Sequence, residues 1–122
     1  MTAPLFTVLI DTFNYGKYVE EAVRSALEQD FPAEEFEVLV VDDGSTDDTA
    51  ARLEKFAGRI RYEHKPNGGQ ASAFNFGVKR ARGEFIAIAA DHQAFEFPFL
   101  AALDSIFNHI QHFIVERIGF CF

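Results

Sequence analysis

Apolar runs and helix-spaced apolar stripes alternate along this chain, and the changeovers between them carry turn-forming residues. Leu5, Phe6, Thr7, Val8, Leu9 and Ile10 read as a first strand. Tyr18, Val19, Ala22, Val23, Ala26 and Leu27 then recur at three- and four-residue spacing, which predicts an amphipathic helix ended by Pro32. Phe36, Glu37, Val38, Leu39, Val40 and Val41 are nearly continuous in apolar and β-branched residues, as in a parallel strand covered on both faces. Ala50, Leu53 and Phe56 predict a second helix over about 47–57, and Ile60, Arg61 and Tyr62 a short strand nearer a sheet edge. Lys65-Pro66-Asn67-Gly68-Gly69 is a loop by its composition. Ala71, Phe74, Val78 and Ala81 mark a third helix closed by Arg82-Gly83, and Phe85, Ile86, Ala87, Ile88 and Ala89 a fourth buried strand. Leu103, Ile106, Phe107, Ile110 and Phe113 fit one face of a last helix, with residues 114–122 as a further strand. The predicted order is βαβαβαβα, an α/β fold with a mostly parallel sheet flanked by helices.

The polar residues that interrupt this pattern fall at strand ends. The second strand stops at Asp42-Asp43-Gly44-Ser45, where Ser45 fits an N-cap and Asp48, three residues on, completes a capping-box pattern. Right-handed crossovers put the ends of all four strands on one edge of the sheet. Asp11-Thr12-Phe13-Asn14, Asp42-Asp43, residues 65–69 and Asp91-His92 are therefore expected to converge where open α/β sheets bind ligands. Taken singly, each of these is an ordinary turn or cap residue; four such ends in register favour a binding edge.

Composition narrows the class. At 122 residues, 48% hydrophobic and 25% charged, the chain matches one globular domain over 1–122 with enough apolar side chains for a core. A formal net charge of −8 argues against nucleic acid as a partner, because phosphate-backbone binders concentrate Lys and Arg. Cys121 stands alone in an apolar stretch, so it forms no internal disulfide and reads as a buried thiol suited to a reducing cytoplasm. No stretch approaches the ~20 apolar residues that cross a bilayer, so any membrane attachment is expected outside this chain.

Four blocks, Val8-Leu9-Ile10-Asp11-Thr12-Phe13-Asn14-Tyr15, Val41-Asp42-Asp43-Gly44-Ser45-Thr46-Asp47, Asn67-Gly68-Gly69-Gln70-Ala71-Ser72 and Arg82-Gly83-Glu84-Phe85-Ile86, together resemble the amino-terminal, nucleotide-binding half of family 2 glycosyltransferases. That family has the Rossmann-like GT-A fold, and the similarity spans about residues 5–92. The resemblance implies that Asp11, Thr12 and Phe13, with Asn14 and Asp42 beside them, line the base pocket of a nucleotide-sugar donor, a UDP-sugar, with the Phe13 ring against the uracil. It further implies that Asp43 accepts a hydrogen bond from the base and that Asn67 contacts the nucleoside, with Asp91 as a further donor-site residue. The chemistry agrees, since uracil N3–H is a donor that an ionised carboxylate accepts. In this family an Asp or Glu of the second half deprotonates a sugar, polysaccharide, lipid or protein acceptor for inverting transfer, so the catalytic base is expected outside this truncated chain.

The chain also departs from the family pattern. The family commonly holds Mn²⁺ or Mg²⁺ through Asp-x-Asp after the fourth strand, whereas this chain reads Ala90-Asp91-His92. Asp91 and His92 are the candidate metal ligands, though an imidazole suits Mg²⁺ least. At Phe74 many relatives carry an arginine, and Phe74 fits equally as a core residue of its helix. Residues 93–122 diverge and crowd Phe95, Phe97, Phe99, Phe107, Phe113, Phe120 and Phe122 together, which implies burial against the chain's own sheet or self-association. His109 and His112 are expected on a solvated helix edge. Two other readings stand beside the transferase: a non-catalytic nucleotide-sugar-binding remnant, and a receiver-type signalling domain, which also holds Mg²⁺ with paired aspartates at strand ends.

Overall fold

The computed structural model describes residues 3–90. Asp91, His92, the Phe-rich segment 93–122 and the predicted last helix and strand lie outside the described residues. Four strands, β1 (Phe6–Thr12), β2 (Phe36–Asp42), β3 (Arg61–His64) and β4 (Phe85–Ala90), form one all-parallel sheet in the order β3-β2-β1-β4. Between them run α1 (Gly16–Leu27), α2 (Thr49–Leu53) and α3 (Gln70–Arg80). The chain builds outward from β1 through β2 to β3, then returns to place β4 on the other side of β1, and that reversal creates a crevice at the strand ends. The order is that of a Rossmann-type half sheet and differs from the 2-1-3-4-5 order of the receiver-type alternative, which the fold therefore sets aside.

Alternation along the strands divides the core in two. Val8, Ile10, Val38, Val40, Ala87 and Ala89 face α1 and α2, where Val19, Ala22, Val23, Ala26 and Leu53 meet them. Leu9, Leu39, Val41 and Ile86 face α3 and pack on Ala73. Fully buried Leu9, Ile10 and Leu39 each contribute about 1.5–3 kcal/mol through removal of apolar surface from water.

The helices differ in detail from their sequence signatures. α2 is a single turn extended by a 3₁₀ turn, Glu54–Phe56, and it begins after Asp48 rather than at Ser45. Asp47 supplies the capping acceptor instead, its Oδ1 taking the Thr49 N–H at 3.1 Å, while the Ser45 hydroxyl is engaged by the Asn14 N–H at 2.8 Å. Of the predicted stripe Ala71, Phe74, Val78 and Ala81, Val78 and Ala81 pack against the core beside buried Ala73 and Gly77, whereas Ala71 and Phe74 are exposed, so the helix is rotated from that stripe. Gly77 explains the rotation: a Cβ there would lie 2.5 Å from Leu9 Cδ1, so the helix seats its glycine against the sheet.

The edge of the sheet opposite the strand ends is tied by Glu37. Its carboxylate accepts from Thr7 Oγ1 and the Arg82 N–H, both at 2.6 Å, and from Arg61 Nη1 at 2.8 Å. Burial by itself raises the Glu37 carboxyl, but these hydrogen bonds and the Arg61 charge outweigh it and hold the group below its ordinary value. No helix among the described residues is long and apolar enough to cross a membrane.

Candidate functional site

β1 and β2 end side by side, Thr12 opposite Asp42, and backbone bonds continue the pairing outward. The Asp43 N–H donates to Thr12 O and the Lys65 N–H to Asp42 O, each at 2.9 Å. The segments after β1, β2 and β3 are thereby brought together, as the alternating pattern implied.

The two adjacent aspartates diverge because successive strand residues face opposite sides. Asp42 shares the parity of Val38 and Val40, is 0% exposed, and accepts hydrogen bonds from Tyr62 Oη and from the Ser45 N–H at 2.8 Å. Burial and the Asp42 carboxylate push the Tyr62 hydroxyl well above its usual value, so it stays a donor. Asp43 follows the parity of Leu39 and Val41 on the α3 side, where the loop before α3 closes over it. Its Oδ1 accepts from Lys65 Nζ at 2.7 Å and the Gly68 N–H at 3.0 Å; its Oδ2 accepts from the Gly69 N–H at 2.9 Å and Asn67 Nδ2 at 3.3 Å. Burial raises this carboxyl, but the Lys65 hydrogen bond, the two glycine N–H donors and the Lys65 charge prevail and keep it ionised below the usual aspartate value.

Asn14 braces the neighbouring turn. It adopts φ 52°, a left-handed conformation asparagine tolerates, and its Oδ1 accepts the N–H groups of Thr46 at 2.8 Å and Asp47 at 3.2 Å. Gly44, at φ 85°, lets the β2–α2 turn approach Asn67 closely.

These contacts enclose a cavity of about 320 Å³ lined by Asp11, Thr12, Phe13, Tyr15, Asp43, Asn67, Gly69 and Gln70. Its size falls at the lower end of small-molecule sites. Phe13 and Tyr15 are 45% and 48% exposed, so aromatic side chains are offered to an occupant. Thr12 Oγ1 is buried with no hydrogen-bond partner among the described residues. Of the seven expected nucleotide-site residues within reach, Asp11, Thr12, Phe13, Asp43 and Asn67 line the cavity. Asn14 and Asp42 do not; they hold its loops in place. Tyr15, Gly69 and Gln70 line it without having been assigned a role from sequence, although all three sit inside the blocks that carried the resemblance. The eighth expected residue, Asp91, and its metal-ligand companion His92 lie outside the described residues, among which no cluster of three or more His, Cys, Asp or Glu is arranged for a metal ion. A larger hollow of about 590 Å³ along the β3 edge is lined mainly by Ala50, Leu53, Ile60 and Tyr62 and lacks convergent polar groups, so it is not the candidate site.

Comparison with known proteins agrees with this geometry. The Glycosyl transferase family 2 model matches residues 7–116, farther than the four sequence blocks reach. The chain is 41% identical over 86 residues to a glycosyltransferase of Rickettsia felis, covering 69% of this chain and 14% of that protein. It is 40% identical over 85 residues to the poly(ribitol-phosphate) beta-N-acetylglucosaminyltransferase TarS of Staphylococcus aureus, covering 66% of this chain and 15% of TarS. A crystal structure of S. aureus TarS 1–349 in complex with UDP-GlcNAc superposes with a TM-score of 0.79 at 32% identity, over 91% of this chain and 32% of that one. The mannosyltransferase PcManGT of Pyrobaculum calidifontis, in complex with GDP-Man and Mn²⁺, gives a TM-score of 0.70 at 27% identity, over 84% of this chain and 31% of that one. The chain thus spans a small part of each relative's length, and that part has the GT-A architecture. With a parallel sheet ordered β3-β2-β1-β4, a cavity at its strand ends and a family match over most of its length, the chain belongs to glycosyltransferase family 2.

Proposed function

We propose that this domain binds a UDP-sugar with the uracil in the strand-end cavity, and that within a complete enzyme it serves inverting glycosyl transfer to an acceptor. The observation that carries the reading is that the exposed Phe13 ring and the ionised Asp43 carboxylate line one cavity. The ring offers a face for stacking, and Asp43 Oδ2 lies among cavity-lining groups as an acceptor for uracil N3–H. Cytosine presents an unprotonated N3 at the same place and meets a carboxylate it cannot satisfy. The likeness to TarS, crystallised with UDP-GlcNAc, supports a uridine donor over the guanosine donor bound by PcManGT.

Asp91 and His92 are proposed to hold a divalent cation, which when bound offsets negative charge on the departing diphosphate. Register supports their place: β4 pairs with β1 up to Ala90 opposite Asp11, so the residue that precedes Asp91 stands beside a cavity residue. The imidazole favours Mn²⁺ over Mg²⁺.

Titration calorimetry of the folded chain with UDP, CDP and GDP, with and without Mn²⁺, tests the reading. UDP should bind about tenfold or more tightly than either competitor. No heat with UDP at millimolar concentration would refute the donor assignment, and a preference for GDP would replace the base. Binding without hydrolysis of a UDP-sugar at any metal concentration, by a form of the protein that includes the second half, would favour the non-catalytic reading.

A further inference from the structure

The Asp43 carboxylate faces two different surroundings. The partners of Oδ2, Asn67 and Gly69, both line the cavity. The partners of Oδ1, Lys65 Nζ and the Gly68 N–H, do not. Lys65 is 8% exposed, and its ammonium also donates to Pro66 O at 2.6 Å. It therefore stands behind the carboxylate, on the side away from any occupant. The neighbouring backbone is shaped to admit it: a Cβ at Gly68 would lie 3.2 Å from Lys65 Nζ and 2.8 Å from Ser72 Oγ.

We propose that Lys65 is a positioning residue for base recognition, pinning Asp43 Oδ1 so that Oδ2 is the oxygen turned to the cavity and the carboxylate remains a pure acceptor. The inference rests on the uridine-nucleotide reading and adds a residue to it that touches no ligand. A carboxylate has about four lone-pair sites, and here four donors occupy them. The contact from Asn67 Nδ2 is the longest of the four at 3.3 Å, and that amide has a second acceptor in Asp43 O at 2.9 Å. It is thus the donor that base N–H replaces, while Lys65 and the two glycine N–H groups hold the carboxylate still. Without the ammonium, Oδ1 loses its charged partner, and a buried carboxylate then takes up a proton or swings toward the vacated side. A protonated carboxyl no longer distinguishes uracil from cytosine by that edge.

Calorimetry on four forms of the chain decides the matter: wild type, Lys65→Met, Asp43→Asn and the double variant, each with UDP and CDP. Lys65→Met should weaken UDP at least about tenfold and CDP less than about threefold, narrowing the preference for uridine. The double variant should match Asp43→Asn within about threefold, because Lys65 acts only through Asp43. Should Lys65→Met fail to fold, the double variant, which removes both buried charges together, still provides this comparison. An unchanged uridine-to-cytidine preference in folded Lys65→Met overturns the positioning role, as does a double variant about tenfold weaker than Asp43→Asn. Failure of the wild type to bind UDP overturns the donor reading itself, and the two failures are thereby separate.

Discussion

Replacing Gly44 by alanine tests the close approach on which the cavity wall depends. Gly44 sits at φ 85°, and a Cβ there would lie 2.7 Å from Asn67 N and 3.0 Å from Asn67 Cβ. The nearest obstacle is backbone, so no rotamer change relieves it. The left-handed conformation costs an L-residue about 1–2 kcal/mol. Displacing the 65–69 loop adds about 1–3 kcal/mol of overpacking, because Asp43 holds that loop through Gly68 and Gly69. The expected loss of stability is about 2–5 kcal/mol. Gly58 provides an internal control, since it has the same φ of 85° but nothing within 4 Å of its would-be Cβ. Gly58→Ala should therefore cost only the conformational part, about 1–2 kcal/mol. In urea denaturation, the Gly44→Ala midpoint should lie below that of Gly58→Ala by about 1 M. Coincident midpoints would refute the claim that the β2–α2 turn and the 65–69 loop are in close packing. UDP affinity provides a second readout, falling in Gly44→Ala and not in Gly58→Ala.

Phe13→Ala should weaken UDP by about 1–3 kcal/mol, the range for a base stacked on an aromatic ring, while Phe13→Tyr retains it; equal affinity in Phe13→Ala, measured calorimetrically, would place the base elsewhere. Stability should fall in acid, because Glu37 and Asp43 have carboxyls lowered from ordinary values of 4.5 and 3.8. Their contribution is complete above those values and is lost as pH drops through the lower folded ones, so the melting temperature should hold from about pH 7 to 5 and decline below about pH 4. A melting temperature that rises on acidification would contradict this sign. Glu37→Gln should lower the neutral-pH melting temperature and flatten the acid limb, as followed by circular dichroism.

The strands, and the convergence of the ends of β1, β2 and β3, were legible because β4 is a continuous apolar run and β1 and β2 are nearly so, each followed by polar residues. The parts that escaped depend on pairings that sequence spacing does not encode. Asp42 and Asp43 look equivalent in sequence, yet strand parity sends one to Tyr62 and the other to the 65–69 loop. Lys65 reads as a loop residue, and its partner is 22 positions away across the sheet edge. The inward face of α3 was only half read, with Phe74 misplaced, because Gly77 has no apolar side chain to mark it, although its lack of a Cβ is what brings the helix against Leu9 and Val41. Ser45 matched a capping pattern, but Asn14 claims its hydroxyl from 31 residues earlier, and that competition is visible only in three dimensions.

Phe13 and Asp43 directly follow β1 and β2, and in the order β3-β2-β1-β4 both of these strands are flanked on both sides by described strands. The two sides of the cleft are thus mounted on strands whose amides are expected to exchange more slowly than those of the strands flanking them. On the uridine-nucleotide reading proposed above, breathing at the flanking strands should leave the gap between the two side chains unchanged, so that a base would enter it with little ordering cost.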